Sequence, residues 1–261
     1  MVEESRQVIS MRRNSHSVNI GIVTILDENF NESTVAIALS SLQCYALMHG
    51  YGFEKIHDSQ KWRKRCPHND IMFRRHCIAS FVLRKYEWIL FVDADVGVIN
   101  PVRLLEEYID DKYEVILYER FFNFEIACGS YFAHNSEFAR RFLMQLADSE
   151  KTLPASFHGR DNGAIHFVLL ETAYGEFGND TIGCRKLWEN SRDGADLYAA
   201  EVCARLLLNR EKVNSWRIKI TRKGEGWVRD AFLTWSRWSR GHDFMIHGWK
   251  ADNLINETSE A

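Results

Sequence analysis

Residues 88–101 read WILFVDADVGVINP and carry the clearest structural signal in the chain. An apolar run over residues 88–92 leads directly into Asp93-Ala94-Asp95, and a second apolar run covers residues 96–99. A short continuous apolar run bounded by polar residues is typical of a strand buried on both faces of a sheet. Ligands of open α/β sheets bind outside the carboxyl ends of such strands. The stretch therefore predicts an α/β sheet with a binding site at its aspartates.

The spacing of Asp93 and Asp95 gives that site its chemistry. Residues i and i+2 of a strand point the same way, so both carboxylates should project together, and the small Ala94 lets a ligand approach. Paired carboxylates repel unless a cation joins them, and oxygen ligands favour Mn²⁺ or Mg²⁺, which leaves room for substrate phosphates. The alternative interpretation is a surface turn with two solvated aspartates.

The pattern around this strand alternates strands and helices, which predicts a largely parallel sheet flanked by helices. A βαβ unit comes first, with strands at residues 18–26 and 51–57 around a helix at 33–49 that begins at Ser33 and ends at Gly50. A basic loop is expected at 60–69 and a helix opening at Asn100-Pro101. Further strands are predicted at 114–118, 129–133 and 215–220, and further helices at 70–85, 136–147, 162–173 and 195–210.

Composition bounds the class of protein. The length of 261 residues suits a single domain, expected at residues 18–250 between a mobile leader (1–17) and a tail (251–261). A net charge of −3 gives no excess of positive charge of the kind that indicates nucleic-acid binding. No apolar run approaches the ~20 residues of a membrane helix, and the leader lacks the apolar core of a signal peptide. We expect a secretory or Golgi location if an anchor lies upstream, and a cytoplasmic one otherwise.

The 6 cysteines form no CxxC pair, so a structural zinc site is not expected. Cys44 and Cys77 lie in apolar helical patterns and are predicted to be buried thiols, while disulfide connectivity stays open. Sequons for N-glycosylation begin at Asn31, Asn179 and Asn256, a weak indication of a secretory lumen.

Other polar residues each allow two interpretations. Arg74, Arg75 and His76 either cover a solvated helix face or supply a guanidinium for a phosphate or carboxylate. Asp161 is either the N-cap of the following helix or an acceptor-side carboxylate. Glu201 is expected to be a solvated charge on its helix.

Near the end of the chain, residues 244–250 read FMIHGWK. The imidazole of His247 can complete an O/N ligand set for Mn²⁺, Gly248 permits close backbone approach, and Lys250 can meet a diphosphate as a point charge. Tryptophans follow one another in this region, at positions 227, 235, 238 and 249, and either pack in the core or stack on sugar rings.

Taken together, FVDADVGVINP, GSYFAHNSEFARRFL, HGRDNGAIH and IHGWK resemble retaining glycosyltransferases of the GT-A fold. The chain looks most like nematode proteins of an uncharacterised domain family, distantly similar to the galactosyl/mannosyl/xylosyltransferase family. The resemblance runs roughly over residues 18–250. It implies a Rossmann-like fold and a UDP- or GDP-linked donor of a hexose or pentose. It further implies Mn²⁺ or Mg²⁺ as cofactor and a glycan or protein-linked acceptor.

The resemblance also implies roles for residues. Asp93, Asp95 and His247 match the metal ligands, and Asp161 with its neighbour Asn162 matches the acceptor side. Positions matching the donor site are Thr24, Ile25, Leu26, Arg75, Asp93, Ala94, Asp95, Gly248 and Lys250. For Lys250 the spacing is shorter than in glycogenin-like enzymes.

Two rival functions fit parts of the pattern. DADVGV matches the D-x-D-x-[TV] string of haloacid-dehalogenase-type phosphatases, in which Asp93 would be a phosphorylated nucleophile. That motif normally lies near the start of its domain, whereas a complete βαβ unit precedes it here. A non-catalytic module that binds nucleotide-sugar or glycan is the second rival. The transferase hypothesis makes a spatial prediction: Asp93, Asp95 and His247 should meet in one cleft, at the sheet edge where the first strand ends.

Overall fold

The computed structural model describes residues 18–121, 123–175, 179–208, 217–230 and 241–251. It is a mixed α/β structure with a larger and a smaller sheet. The strands are β1 Ile20–Asp27, β2 Gly52–Asp58, β3 Trp88–Val92, β4 Val96–Val98, β5 Val115–Tyr118, β6 Ser130–His134, β7 Ile218–Thr221, β8 Val228–Asp230 and β9 Met245–His247. The α-helices are α1 Ala36–His49, α2 Gln60–Arg65, α3 Ile71–Val82, α4 Glu137–Asp148, α5 Arg160–Tyr174, α6 Asn179–Glu189 and α7 Gly194–Leu208.

The larger sheet has the strand order β2-β1-β3-β6-β5-β7. The pairs β1/β2, β1/β3 and β5/β7 are parallel, whereas β6 runs antiparallel to β3 and to β5. The α/β class with a mostly parallel central sheet is therefore confirmed, with β6 as the reversed strand. The smaller sheet has the order β4-β9-β8.

Strand β3 is buried on both faces, as its continuous apolar run predicts. Ile89 and Phe91 belong to a core shared with α3, α4 and α5, while Leu90 and Val92 belong to a second core. That second core also includes residues of α1 and of the smaller sheet. Alternation along one strand thus joins two layers, and the strand's polar continuation, Asp93-Ala94-Asp95, emerges between them.

The helix boundaries follow local chemistry. Gly50 ends α1 in the left-handed conformation (φ 74°), which a residue without Cβ adopts at little cost. The Asp70 side chain caps α3 by accepting a hydrogen bond from the backbone N–H of Met72, and Ser136 caps α4 through Ala139. Ser33, by contrast, lies inside a 3₁₀ turn, Glu32–Val35, that Asn31 caps.

Other local predictions are wrong. The basic stretch at 60–69 is not all loop, because Gln60–Arg65 forms α2. Asn100-Pro101 opens a turn, and the only helical residues described in residues 101–114 are the short 3₁₀ segment Leu105–Tyr108. Helix α6 has no counterpart among the predicted elements. Part of the strand predicted at 215–220 lies outside the described residues, and β7 accounts for the rest.

The cysteine predictions are also corrected. Cys77 forms a disulfide with Cys66, and Cys184 forms one with Cys203. Cys44 is an exposed free thiol, and Cys128 is a buried one. Within the described residues, no helix has both the length and the apolar content to cross a bilayer.

Glu201 on α7 is not solvated. Its exposure is 0%, and neither carboxyl oxygen has a hydrogen-bond partner among the described residues. Burial, followed by the neighbouring Glu125, raises the pKa of Glu201 to about 9. The side chain is therefore protonated at neutral pH, the form in which an isolated buried carboxyl costs least.

This burial predicts that Glu201→Gln stabilises the protein at neutral and alkaline pH. Because the folded pKa lies above the unfolded value, the folded state binds the proton more tightly, and stability falls as pH rises from about 4.5 towards 9. Glutamine carries no such dependence, so its gain should be roughly 2 to 3 kcal/mol at pH 7 and near zero below pH 4. Urea unfolding at several pH values measures it. The exposed Glu137→Gln is the control, and parallel pH profiles for Glu201→Gln and wild type contradict the prediction.

Candidate active site

The carboxylates after β3 meet His247 because of strand pairing. Strand β4 runs antiparallel to β9, and the register sets Val96 opposite His247, directly beside Asp95. Ligand atoms of Asp93, Asp95 and His247 all lie within 4.8 Å of one another. The predicted meeting of these three side chains is confirmed, and their role as metal ligands stays a prediction.

The end of β1 lies at the same edge. The parallel register pairs Val23 with Phe91, which brings Leu26 level with the aspartate motif. Thr24, Ile25 and Leu26 are buried, and Thr24 Oγ1 has no hydrogen-bond partner among the described residues. A donor at this edge would therefore meet backbone more readily than these side chains, and their donor-binding role stays a prediction.

Asp95 pairs with two basic side chains from residues 247–250. Its Oδ1 lies 3.4 Å from His247 Nε2, and its Oδ2 lies 3.3 Å from Lys250 Nζ. Although burial acts in the opposite direction, hydrogen bonds to His247 and Lys250 lower the pKa of Asp95 to about 2. Its backbone carbonyl also accepts a hydrogen bond from the N–H of Trp249. Asp95 is thus an ionised carboxylate that holds residues 247–250 against β4.

The imidazole of His247 is held from two sides. Besides facing Asp95 through Nε2, it donates from Nδ1 to Asp230 Oδ1 at 2.7 Å. Burial favours the neutral ring, but the hydrogen bonds to Asp230 and Asp95 outweigh it and raise the pKa of His247 to about 10. Gly248, which follows, has φ 89°, a conformation that turns the chain towards Lys250.

Asp93 is backed by a separate chain of charges. Arg75 donates a hydrogen bond from Nη1 to Asp93 Oδ1 and another from Nη2 to Asp161 Oδ2, the latter at 2.5 Å. Burial raises the pKa of Asp93, and the charge of Arg75 offsets only part of this effect. Burial also acts to raise the pKa of Asp161, but Arg75 and His76 outweigh it and keep that pKa well below its usual range. Arg75 is 6% exposed, so this geometry favours holding two aspartates over reaching a donor phosphate, which stays a prediction.

A buried polar cluster continues behind Asp161. His76 Nε2 lies 3.2 Å from Asp161 Oδ2 and 3.4 Å from Cys128 Sγ. Burial lowers the pKa of His76 to about 4 and raises that of the Cys128 thiol, so both stay neutral. Arg74, beside them on α3, pairs with the buried Asp58. The solvated-face interpretation of this stretch is therefore wrong.

Asp161 is not the N-cap of α5. Gly159 occupies that position in the left-handed conformation (φ 69°), and Asp161 lies in the first turn, 3% exposed. Its neighbour Asn162 lines the cleft and accepts a hydrogen bond from the N–H of Cys128. Of the two residues predicted for the acceptor side, Asn162 is therefore the one that a bound molecule can contact.

The cleft is small, with a cavity volume of about 20 Å³, and it opens to solvent. Its lining includes Asp93, Val96, Tyr118, Arg120, Ala127, Gly129, Ser130, Asn162 and His247. Gly129 allows Asp93 to sit there, because a Cβ at this position would lie 2.2 Å from Asp93 Oδ2. The same Asp93 donates its backbone N–H to the Gly129 carbonyl.

Gly129→Ala is accordingly expected to displace the Asp93 carboxylate. A contact of 2.2 Å is impossible, and the carboxylate is the atom group that can move. Mn²⁺ affinity should fall by about tenfold or more, as it does when other groups that orient a metal ligand are removed. Binding is measured from the free Mn²⁺ signal in electron paramagnetic resonance. Gly183→Ala, with open space around the new Cβ, is the control; equal affinity for both variants refutes the steric argument.

The tryptophans divide between core and cleft edge. Trp227 is buried and donates from Nε1 to Ser130 Oγ at 2.8 Å, as core packing predicts. Trp249 packs on Gly97, where a Cβ would lie 1.9 Å from the indole ring. Trp235 and Trp238 lie outside the described residues.

Sequence reasoning missed Arg120, Gly129 and Asp230. Arg120 donates to Asp230 and to Glu125, both at 2.6 Å, and lines the cleft. Arg120 and Asp230 belong to no motif with a recognisable spacing, and Gly129 opens the motif GSYFAHNSEFARRFL without being singled out as a site residue. The available signal was the glycine opening the predicted strand at 129–133, where a missing side chain marks close approach.

The side chains fit a divalent ion. Carboxylate oxygens from Asp93 and Asp95 and a nitrogen from His247 form an O/N set of the kind that Mn²⁺ accepts. Their mutual distances of at most 4.8 Å are compatible with one shared ion. Mg²⁺, which prefers oxygen ligands alone, fits this set less well.

Comparison with known proteins places the chain. A family model described as "Protein of unknown function, DUF273" matches residues 42–261. The chain belongs to this family. A comparison with curated proteins finds no match. The match with the family spans every residue of the candidate site except the end of β1.

Glycosyltransferases are among the solved structures similar to the chain. One is a glycosyltransferase involved in glycosylation of the major capsid of PBCV-1, with a TM-score of 0.52 and 13% identity, covering 93% of this chain and 100% of the other. Another is mouse xyloside xylosyltransferase 1, with a TM-score of 0.43 and 11% identity, covering 89% and 98%. The second likeness is too low to support an argument. The first, at such low identity, shows the fold alone: a GT-A glycosyltransferase fold.

Proposed function

We propose that this chain is a metal-dependent glycosyltransferase that moves a hexose or pentose from a UDP- or GDP-linked donor to a glycan or protein-linked acceptor, with retention. The observation that carries the proposal is the meeting of Asp93, Asp95 and His247 at the carboxyl end of β3. A cation-binding set at that edge of a sheet is where a nucleotide-sugar diphosphate would lie.

The reaction requires stabilisation of the leaving group, the nucleoside diphosphate. Cleavage of the sugar–diphosphate bond leaves negative charge on the diphosphate, and a bound Mn²⁺ supplies Lewis-acid stabilisation of that charge. Lys250, whose side chain is 56% exposed and 3.3 Å from Asp95, can contribute a second positive charge. Arg75 acts behind them by holding the Asp93 carboxylate in place.

The acceptor side supports a path without a carboxylate base. Asp161 is buried and its pKa is depressed by Arg75, so it is poorly placed to take a proton from an acceptor hydroxyl. In a retaining transfer the departing diphosphate oxygen can accept that proton. Asn162, which lines the cleft, can then orient the acceptor or the sugar by hydrogen bonds.

The phosphatase alternative is less well supported. The complete β1–α1–β2 unit precedes Asp93 in the structure, whereas the phosphatase motif normally lies near the start of its domain. A module that binds a nucleotide-sugar without transfer has the same cleft and differs only in turnover.

One experiment separates the three functions. The protein is incubated with UDP-sugars, with GDP-sugars and with a phosphomonoester, each with Mn²⁺ and with a chelator, and nucleotide or phosphate release is followed with and without glycan acceptors. We expect Mn²⁺-dependent release of UDP or GDP and a glycosylated product. Phosphate release from the monoester supports the phosphatase, and tight donor binding without product supports the binding module.

Two features support a secretory-lumen location for this activity. Disulfides Cys66–Cys77 and Cys184–Cys203 are typical of an oxidising compartment. The sequon at Asn31 is exposed at the surface.

A further inference from the structure

The small sheet places a third carboxylate beside the candidate metal ligands. Strand β8 runs parallel to β9, and the register sets Asp230 beside His247, just as β4 sets Val96 on its other side. Asp230 is 3% exposed, so its carboxylate is buried rather than solvated. Its Oδ1 accepts a hydrogen bond from His247 Nδ1 at 2.7 Å.

Asp230 is itself fixed in position. Arg120 Nη2 donates to Asp230 Oδ1 at 2.6 Å, and Arg120 Nε donates to Oδ2 at 3.3 Å, a two-point contact. The other side of Arg120 pairs with Glu125, which is 8% exposed. Glu125, Arg120 and Asp230 thus alternate negative and positive charges up to the ring of His247, which faces Asp95 on its other side.

We infer that Asp230 is a positioning residue that fixes the ring of His247 and holds the proton on Nδ1, so that Nε2 is the nitrogen that releases its proton to solvent and binds a metal ion. This inference rests on the proposed function, because it assigns His247 as a ligand. Nε2 is the nitrogen that faces Asp95 in the structure. Arg120 serves the same end by preventing the Asp230 carboxylate from rotating away.

The physical reason is the direction of the imidazole lone pair. Neutral histidine carries one N–H and one lone pair, and the hydrogen bond made by one nitrogen decides which nitrogen can bind metal. A carboxylate on the N–H side also makes the other nitrogen a better ligand, and loss of such a partner lowers metal affinity by about 10- to 100-fold.

The test measures Mn²⁺ binding without nucleotide or sugar, from the free-ion signal in electron paramagnetic resonance. Asp230→Asn keeps the side-chain volume and removes the charge, and we expect about 10- to 100-fold weaker binding. Asp148→Asn is the matched control, since Asp148 also contacts a histidine, His68, at 3.2 Å but lies outside the cleft lining. It should bind as wild type does. Circular dichroism verifies the fold of each variant.

The outcomes are distinct. If the wild-type protein binds no Mn²⁺, the metal-dependent function fails, and the inference falls with it. If wild type binds and Asp230→Asn binds equally well, the inference alone is overturned. Equal losses in Asp230→Asn and Asp148→Asn overturn it too, because the effect is then a general one of removed charge.

A readout on the unaltered protein covers the case in which Asp230→Asn does not fold. ¹⁵N-histidine labelling with saturating Zn²⁺, a diamagnetic ion that accepts nitrogen and oxygen ligands, reports which ring nitrogen of His247 carries the proton at neutral pH. The inference expects a proton on Nδ1 and none on Nε2. The opposite tautomer refutes it.

Discussion

Asp95→Asn is expected to reduce Mn²⁺-dependent sugar transfer by about 100- to 1,000-fold, since removing the charge of a metal-holding carboxylate costs several kcal/mol of transition-state stabilisation. Asparagine keeps the shape of the side chain but loses the attraction to His247 and to Lys250, both within 3.4 Å of Asp95. Initial rates at saturating donor and Mn²⁺ measure the effect.

Asp110→Asn provides the comparison. Asp110 pairs with Lys219 at 3.5 Å, and it does not line the cleft. Its variant should transfer sugar at the wild-type rate. An Asp95→Asn enzyme that retains a tenth or more of wild-type activity would mean that Asp95 does not hold the metal.

Arg75→Leu is expected to produce the largest loss of stability. Arg75 neutralises Asp93 and Asp161, and its removal leaves the buried Asp161 beside the neutral side chains of His76 and Cys128. Breaking a buried pair from one side costs about 3 to 5 kcal/mol. For a chain of this size the melting temperature should fall on the order of 10 °C. Differential scanning calorimetry measures the fall.

Two further variants separate the lost charge from lost packing. Arg141→Leu makes the same replacement in an exposed pair with Glu137, where a cost of about 0.5 kcal/mol or less is expected. Arg75→Leu combined with Asp161→Asn should recover part of the stability, because the orphaned carboxylate is gone. Two results would contradict this explanation: an Arg75→Leu variant with the melting temperature of wild type, or a double variant with a melting temperature no higher than that of Arg75→Leu.

Patterns confined to one element were predictable from sequence. The run at residues 88–92 announces a strand buried on both faces, because no other short element hides every side chain. The i, i+2 spacing of Asp93 and Asp95 predicts a shared direction, and Gly50 marks a helix end. The meeting with His247 followed from the resemblance to a family and from the order of segments.

Features that depend on long-range pairing were not predictable. The antiparallel direction of β6 leaves no trace in its composition, since an apolar strand reads alike in both directions. Asp230 reaches His247 only through the register of β8 with β9. Glu201 looks like an ordinary surface charge in a helix, and only the packing of α7 shows that it is buried. Cys66 directly follows α2 and Cys77 lies on α3, and the turn between the two helices brings the two cysteines together.

Calorimetric titration of UDP and of GDP, with Mn²⁺ and with a chelator, shows whether the site binds a nucleotide through a metal ion. If Asp93, Asp95 and His247 hold an ion that receives the donor diphosphate, at least one nucleotide should bind with Mn²⁺ and lose its binding on chelation. The same titration with His247→Ala should resemble the chelated wild type. Nucleotide binding of equal strength with and without Mn²⁺, or none under either condition, contradicts the account.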